Sequence, residues 1–258
     1  MNSKKTLYIG AHADDVAINA GITIHRKPEK AYILTVTNGV SFANYPMVFG
    51  GVTLDSHEAY VQQRLEEDKA AMHVLGVDID KRFTNSKIPC RETYKYLEQI
   101  VEIITTLIKT EKIRRIMTHS FPGESHPAHP DHEIVSVCSY IVGNEYGIEV
   151  WEYPRFMSNC TNIQTDRIFL NEDVMEIVRY DFTSEEAEFR DKLMQNYLTQ
   201  GFIREKYRTT SEMFGRATRN PKIIPDTTHF YVGADYKPGL RDIRVAITDF
   251  LKESSCVW

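Results

Sequence analysis

The residues best suited to chemistry stand in two short clusters, His12-Ala13-Asp14-Asp15 and His126-Pro127-Ala128-His129-Pro130-Asp131-His132. Each follows an apolar run, Leu7 to Ala11 in the first case and Ile113 to Thr118 in the second. Imidazole and carboxylate together suit a catalytic zinc, which takes three protein ligands and keeps one position open for water. The same donor set also accepts iron(II). A second carboxylate beside the ligands is what metal-assisted hydrolysis needs as a general base. In a strand-to-helix corner His12 and Asp15 can turn toward one point while Asp14 projects separately toward a water molecule. In the second cluster Pro130 stiffens the turn, Asp131 precedes a helix that it can cap, and His132 presents a ring nitrogen from the helix start.

The surrounding pattern supplies elements to hold these residues. Thr6 to Ala11 reads as a buried strand, and Asp15 to about His25 as a helix with Val16, Ala20 and Ile24 on one face. Ala31 to Thr37 is a second apolar strand, closed by Asn38-Gly39. Strand, helix, strand in so short a span is a βαβ unit with parallel pairing. Residues 41–56 read as a long loop of the kind that serves as a lid or binding element. A helix from His57 to Leu75 carries Val61, Leu65, Asp68 and Met72 on one stripe and stops at Gly76. Lys81 to Thr84 reads as a short strand. The strongest helical period runs from Arg91 to Thr110, with Tyr94, Leu97, Val101, Ile104 and Ile108 inward. Strand 113–118, a helix from His132 to Val142 and a strand from Ile148 to Tyr153 continue the alternation. Thr183 and Glu186 form a capping box for a helix to about Leu198, and Gly239 to Leu251 reads as a final amphipathic helix.

This order predicts an α/β fold, a Rossmann-like open and mostly parallel sheet with helices on both faces and a less regular C-terminal part. We read the 258 residues as one domain, with 1–155 as the core and 156–258 as an elaboration contributing to the substrate cleft. In such sheets ligands bind where loops leave the carboxyl ends of strands, which is where both clusters fall. Gly10-Ala11-His12 lacks the G-x-G-x-x-G pattern, which argues against a dinucleotide.

Composition narrows the function. A net charge of -5 gives no global basic field for nucleic acid or an anionic membrane. The basic stretch Arg204, Lys206, Arg208, Arg216, Arg219 and Lys222, broken by Glu205 and Glu212, reads as solvated surface, with an anionic ligand as the alternative. Cys90, Cys138, Cys160 and Cys256 lack CxxC spacing and read as free thiols of a reducing compartment. With no signal-peptide pattern and no apolar run of membrane-spanning length, the expectation is a cytoplasmic protein, for which a homo-oligomer is also compatible.

At this point the two clusters resemble, in order, those of the LmbE-like (PIG-L) family of zinc-dependent N-acetylglucosaminyl deacetylases. Thr37-Asn38-Gly39 resembles that family's T-x-G, Arg64 to Glu67 with Leu75-Gly76 its R-x-x-E helix, and Lys192 through Tyr197 to Gln200 its K…Y-x-x-Q segment. The resemblance implies His12, Asp15 and His132 as metal ligands and Asp14 as general base. It further implies His129 as stabiliser of the oxyanion, Asp131 as the residue that orients or tunes a motif histidine, and Arg64 as the contact to a sugar hydroxyl. The expected cofactor is Zn2+, with Fe2+ admissible, and the expected substrate a small N-acetylated amino sugar. Ala13 and Val16 replace the family's usual proline and glutamate, the second removing a carboxylate beside the metal.

Plainer readings stand beside these. Asp14 and Asp15 can serve only as helix caps, His129 and His132 as ordinary loop histidines, and Arg64 as a partner of Glu67 or Asp68 on its own helix. His119 and His126 are extra histidines in the same loop, with metal ligation by either as the lesser alternative. The competing functions are an amidase of the same family that removes a larger acyl group, and a non-catalytic Rossmann-like module that binds a sugar or nucleotide.

Overall fold

The computed structural model describes residues 4–40, 54, 56–120, 125–126, 129–159, 162–168, 174–200, 209–217 and 245–250. In chain order the elements are β1 (Thr6–Gly10), α1 (Asp15–Arg26), β2 (Ala31–Thr35), α2 (His57–Val74), β3 (Arg82–Thr84), α3 (Leu97–Glu111) and β4 (Arg115–Thr118). They continue with β5 (Ser125–His126), α4 (Pro130–Tyr146), β6 (Glu149–Glu152), β7 (Arg155–Asn159), β8 (Asn162–Ile168), β9 (Val174–Asp181), α5 (Ser184–Met194) and β10 (Ser211–Ala217). The fold is α/β, with a mixed, mostly parallel seven-stranded sheet and a smaller three-stranded one.

Two compact units divide the chain. The first comprises Met1–Cys90 and Val178–Met213. Its strands β3, β2 and β1 lie side by side and run parallel, with Leu7 level with Tyr32 and Leu34 level with Phe83. β1 and β2 are buried along their whole length, which is why their sequences are apolar without alternation. Helix α1 is buried nearly all round, from Asp15 to Ile22 and at Ile24. It is clasped to α5 by Arg26, whose Nε and Nη2 donate to the two oxygens of Glu186, each at 2.7 Å. Glu186 also completes the predicted capping box with Thr183. Glu212, from the basic stretch, is fully buried and accepts from the Ile22 N–H at 2.7 Å and the Thr23 hydroxyl at 2.6 Å.

Helix α2 departs from the apolar stripe expected of it. Its buried residues are Tyr60, Arg64, Glu67, Asp68, Ala71 and Met72, while Val61 and Leu65 are only half-buried. Ion pairs and hydrogen bonds from other segments engage all three charged groups, which offsets much of the cost of facing inward, while Arg64 Nε and Asp68 Oδ1 have no hydrogen-bond partner among the described residues.

The second unit comprises Arg91–Ile177 and Phe214–Trp258. β4 and β6 are parallel, and β10 runs antiparallel to β6 with Arg216 level with Trp151. β5, β7 and β8 form the three-stranded sheet. Helix α3 starts at Leu97 rather than Arg91, after a 3-10 turn at Thr93–Lys95. It buries Leu97, Ile100, Ile104, Leu107 and Ile108, so Tyr94 and Val101 leave the predicted inward face. Helix α4 is longer than expected and buried from Pro130 to Gly143. Gly143 allows its close approach to β6, because a methyl group there would overlap Cγ2 of Val150.

Strands β7 to β10 were not anticipated by the sequence pattern. The loop predicted at 41–56 and most of the basic stretch lie outside the described residues, and only 245–250 of the final helix fall within them.

Candidate active site

In the first unit the His12–Asp15 corner closes on itself. The His12 N–H donates to Asp15 Oδ2 at 2.7 Å, and the Asp15 N–H to the His12 carbonyl at 3.3 Å. The imidazole Nδ1 lies 3.3 Å from the same Oδ2. An imidazole nitrogen and a carboxylate oxygen thus stand within reach of one cation. Gly10 makes the corner tight, since a Cβ there would lie 3.0 Å from both Asp15 Cβ and the His12 carbonyl oxygen. The neighbouring strand supports the loop: Thr37 gives Ala11's carbonyl its N–H at 3.0 Å and its hydroxyl at 2.8 Å.

Asp14 occupies the cap position of α1, yet its side chain makes no capping bond. It is buried, with Oδ1 3.5 Å from Nη2 of Arg64. Arg64 lies within α2, 3% exposed, and its Nη1 is 3.7 Å from Glu67 Oε2. Burial works to lower the pKa of this guanidinium, but the carboxylates of Asp14 and Glu67 outweigh it and hold the group above its ordinary value. The arginine is packed against Gly39: at φ +73° this residue is in the left-handed region, and a Cβ would come within 3.0 Å of Arg64 Nε.

Glu67 accepts the Thr199 N–H at 2.8 Å and the Thr199 hydroxyl at 2.6 Å. Tyr197, fully buried, donates its hydroxyl to the Ala13 carbonyl at 3.0 Å. Burial pushes this phenol's pKa up, so it stays a neutral donor. On the far side of the corner, Cys90 Sγ lies 3.4 Å from His12 Nε2.

The second unit assembles the other cluster around the start of α4. His129 is the cap residue, and its Nδ1 accepts the Asp131 N–H at 3.2 Å. That assignment places the ring proton of a neutral His129 on Nε2. The His132 ring lies 4.9 Å from that of His129 and stacks on His119, with centroids 4.0 Å apart and planes within 5°. Asp131 is fully buried, and its Oδ2 accepts the Arg91 N–H at 2.6 Å. Its Oδ1 accepts the Thr93 hydroxyl, also at 2.6 Å. The same carboxylate stands 3.7 Å from His129 Nδ1, so it touches both the histidine and the turn before α3.

Each unit therefore gathers its own predicted residues: His12, Asp14, Asp15 and Arg64 in one, His129, Asp131 and His132 in the other. The sequence pattern did not indicate Cys90 against His12, Thr93 beneath Asp131, or Thr199 against Glu67. Thr199 does fall inside the Y-x-x-Q segment, which was the one signal that could have pointed to it. His126 contributes backbone to β5, and its side chain lies outside the described residues.

Among solved structures, the chain is similar to a triple mutant of a deacetylase of the teicoplanin biosynthetic pathway. The TM-score is 0.65 at 15% identity, covering 84% of this chain and 98% of that one. It is also similar to the N,N'-diacetylchitobiose deacetylase of Pyrococcus horikoshii, with TM-score 0.52, 20% identity and coverage of 80% and 74%. The 4-carboxy-2-hydroxymuconate hydratase of Pseudomonas putida shares the fold as well, with TM-score 0.53, 14% identity and coverage of 87% and 99%. These likenesses establish a shared fold. No curated protein sequence matches the chain. The family model PIG-L, described as GlcNAc-PI de-N-acetylase, matches residues 7–141. The matched span is more than half of the chain and includes both clusters: the chain belongs to the PIG-L family.

Proposed function

We propose that the protein is a metal-dependent hydrolase that removes the N-acetyl group from a small amino sugar or amino-sugar-containing metabolite. The observation that carries this reading is the family match, whose span includes His12, Asp14, Asp15, Arg64, His129, Asp131 and His132. The deacetylases that share the fold support the same chemistry, whereas the hydratase is a reminder that a fold hosts more than one reaction.

In this reading His12, Asp15 and His132 hold a divalent metal, zinc or iron(II). The donor set fits: the imidazole of His12 and the carboxylate of Asp15 already face one another, and imidazole with carboxylate is the chemistry these ions take. When bound, such an ion supplies a water that ionises near neutral pH. Asp14, not spent on capping, accepts the proton of the attacking water as it adds to the amide carbon. The carbonyl oxygen gains negative charge, which His129 stabilises. Asp14 then returns its proton to the departing nitrogen, so the C–N bond breaks to give acetate and a free amine. Asp131 holds His129 and the start of α4 in place.

Metal analysis with an acetate-release screen over N-acetylated amino sugars, run with and without chelator, tests the proposal. His12→Ala is expected to lose a stoichiometric metal. Asp14→Asn should keep the metal and lose activity by about 10²- to 10⁴-fold, the usual contribution of a general base. A metal-free wild-type protein, or unchanged turnover in Asp14→Asn, would overturn it.

A further inference from the structure

The first unit contains a buried polar chain that leads to Asp14 and whose other members the reaction above does not use directly. It starts at the 3-10 turn Leu198–Gln200 and ends at Asp14. Every side chain along it is nearly closed to solvent: Thr199 at 1%, Glu67, Arg64 and Asp14 at 3% each, and Tyr197 at 0%.

The turn reaches Asp14 by two routes. Along the backbone, Tyr197 ties the carbonyl of Ala13, the peptide unit that leads into Asp14. Along the side chains, Thr199 pins Glu67 with two hydrogen bonds and accepts one from Arg64 Nη1 at 3.5 Å, Glu67 flanks Arg64, and Arg64 flanks Asp14. Gln63 adds a third bond to Glu67 at 3.1 Å.

The arrangement has a physical purpose. Two buried carboxylates share one guanidinium, and in a poorly screened interior a carboxylate short of donors moves to the nearest cation. With its oxygens occupied by Thr199 and Gln63, Glu67 need not draw Arg64 away from Asp14. Gly39 lies close against the same guanidinium, where a Cβ would come within 3.0 Å of Nε.

We propose that Tyr197 and Thr199 are positioning residues that set the orientation of Asp14, the first through the Ala13 peptide and the second through Arg64, which it holds both directly and by way of Glu67. The idea rests on the general-base role assigned to Asp14 above. It gives Arg64 a task inside the protein, distinct from contact with a sugar hydroxyl.

Kinetics with N-acetylglucosamine as probe separate these roles. Thr199→Val and Tyr197→Phe are each expected to lower kcat about tenfold with KM within twofold of wild type and metal content unchanged, and Thr199→Ser should restore kcat. A raised KM at constant kcat would instead mark Arg64 as a substrate contact and overturn the proposal.

A second measurement needs no turnover and decides the matter even if the probe is not a substrate, in which case the deacetylase reading alone is weakened. Urea unfolding is followed for Thr199→Val and Asp14→Asn, singly and together. Thr199 and Asp14 do not touch, so coupling between them must pass through Arg64, which Thr199 meets both directly and by way of Glu67. The effect of Thr199→Val on the unfolding constant should differ at least threefold between the wild-type and Asp14→Asn backgrounds. Equal effects would overturn the proposal. Tyr197→Phe carries the same cycle should Thr199→Val not fold.

Discussion

Asp68 stands fully buried on α2, with Oδ2 facing the hydroxyls of Thr35 and Thr84 and the guanidinium of Arg82 at 3.3–3.4 Å. Its Oδ1 has no hydrogen-bond partner among the described residues. Burial pushes its carboxyl from the ordinary 3.8 up to about 6, and Arg82 and the hydroxyls offset only part of that rise. The folded chain therefore keeps this proton to higher pH than the unfolded chain does. The stability tied to it is complete below about pH 4 and is lost as pH climbs through 6. Asp68→Asn cannot ionise, so it is expected to gain on wild type between pH 4 and 7, by about 2–3 kcal/mol at the upper end. Urea denaturation at both pH values checks this, and a difference that does not grow with pH would contradict it. The role of Asp14 is likewise set by what it packs against. Its position before α1 invites a cap, and the structure instead gives its carboxylate to Arg64.

Helices α2 and α4 show how an element's environment selects its buried face. The apolar period of α2 points to Val61 and Leu65, but partners from Thr35, Arg82, Thr84 and Thr199 turn Arg64, Glu67 and Asp68 inward instead. Such a face is stable only while every charge in it stays paired. Helix α4 is controlled by size. Its last buried turn meets β6 at Gly143, whose carbonyl accepts the Ile148 N–H at 2.8 Å. Gly143→Ala improves intrinsic helix propensity by about 1 kcal/mol, yet its methyl would strike Val150 and lie 3.3 Å from the Ile148 carbonyl oxygen. Overpacking of this kind costs about 1–3 kcal/mol, so a net loss of stability is expected in urea denaturation. A gain would show that β6 can retreat from the helix.

For the molecule as a whole, a bound metal would link the composition of the medium to stability. A ligand that binds only the folded chain stabilises it by about 2.7 kcal/mol at one hundred times its dissociation constant. Chelation is therefore expected to lower the thermal midpoint of wild type and leave that of His12→Ala unchanged; equal shifts in the two proteins would argue against the proposed ligands. No helix among the described residues is long and apolar enough to cross a membrane. The sequence by itself determined the α/β alternation, the two chemical clusters, the family and the Thr183–Glu186 capping box. These are written in local periods and fixed spacings, which need no distant partner to be read. Only the tertiary structure decided which face α2 buries, that Cys90 lies against His12, and that Thr199 answers Glu67 across the chain. β10 shows the same limit: Ser211–Ala217 has charged residues and a glycine where an apolar run would announce a strand, and its ladder comes from pairing with β6. Contacts between residues remote in sequence leave no periodic trace, because each depends on where the intervening chain has folded.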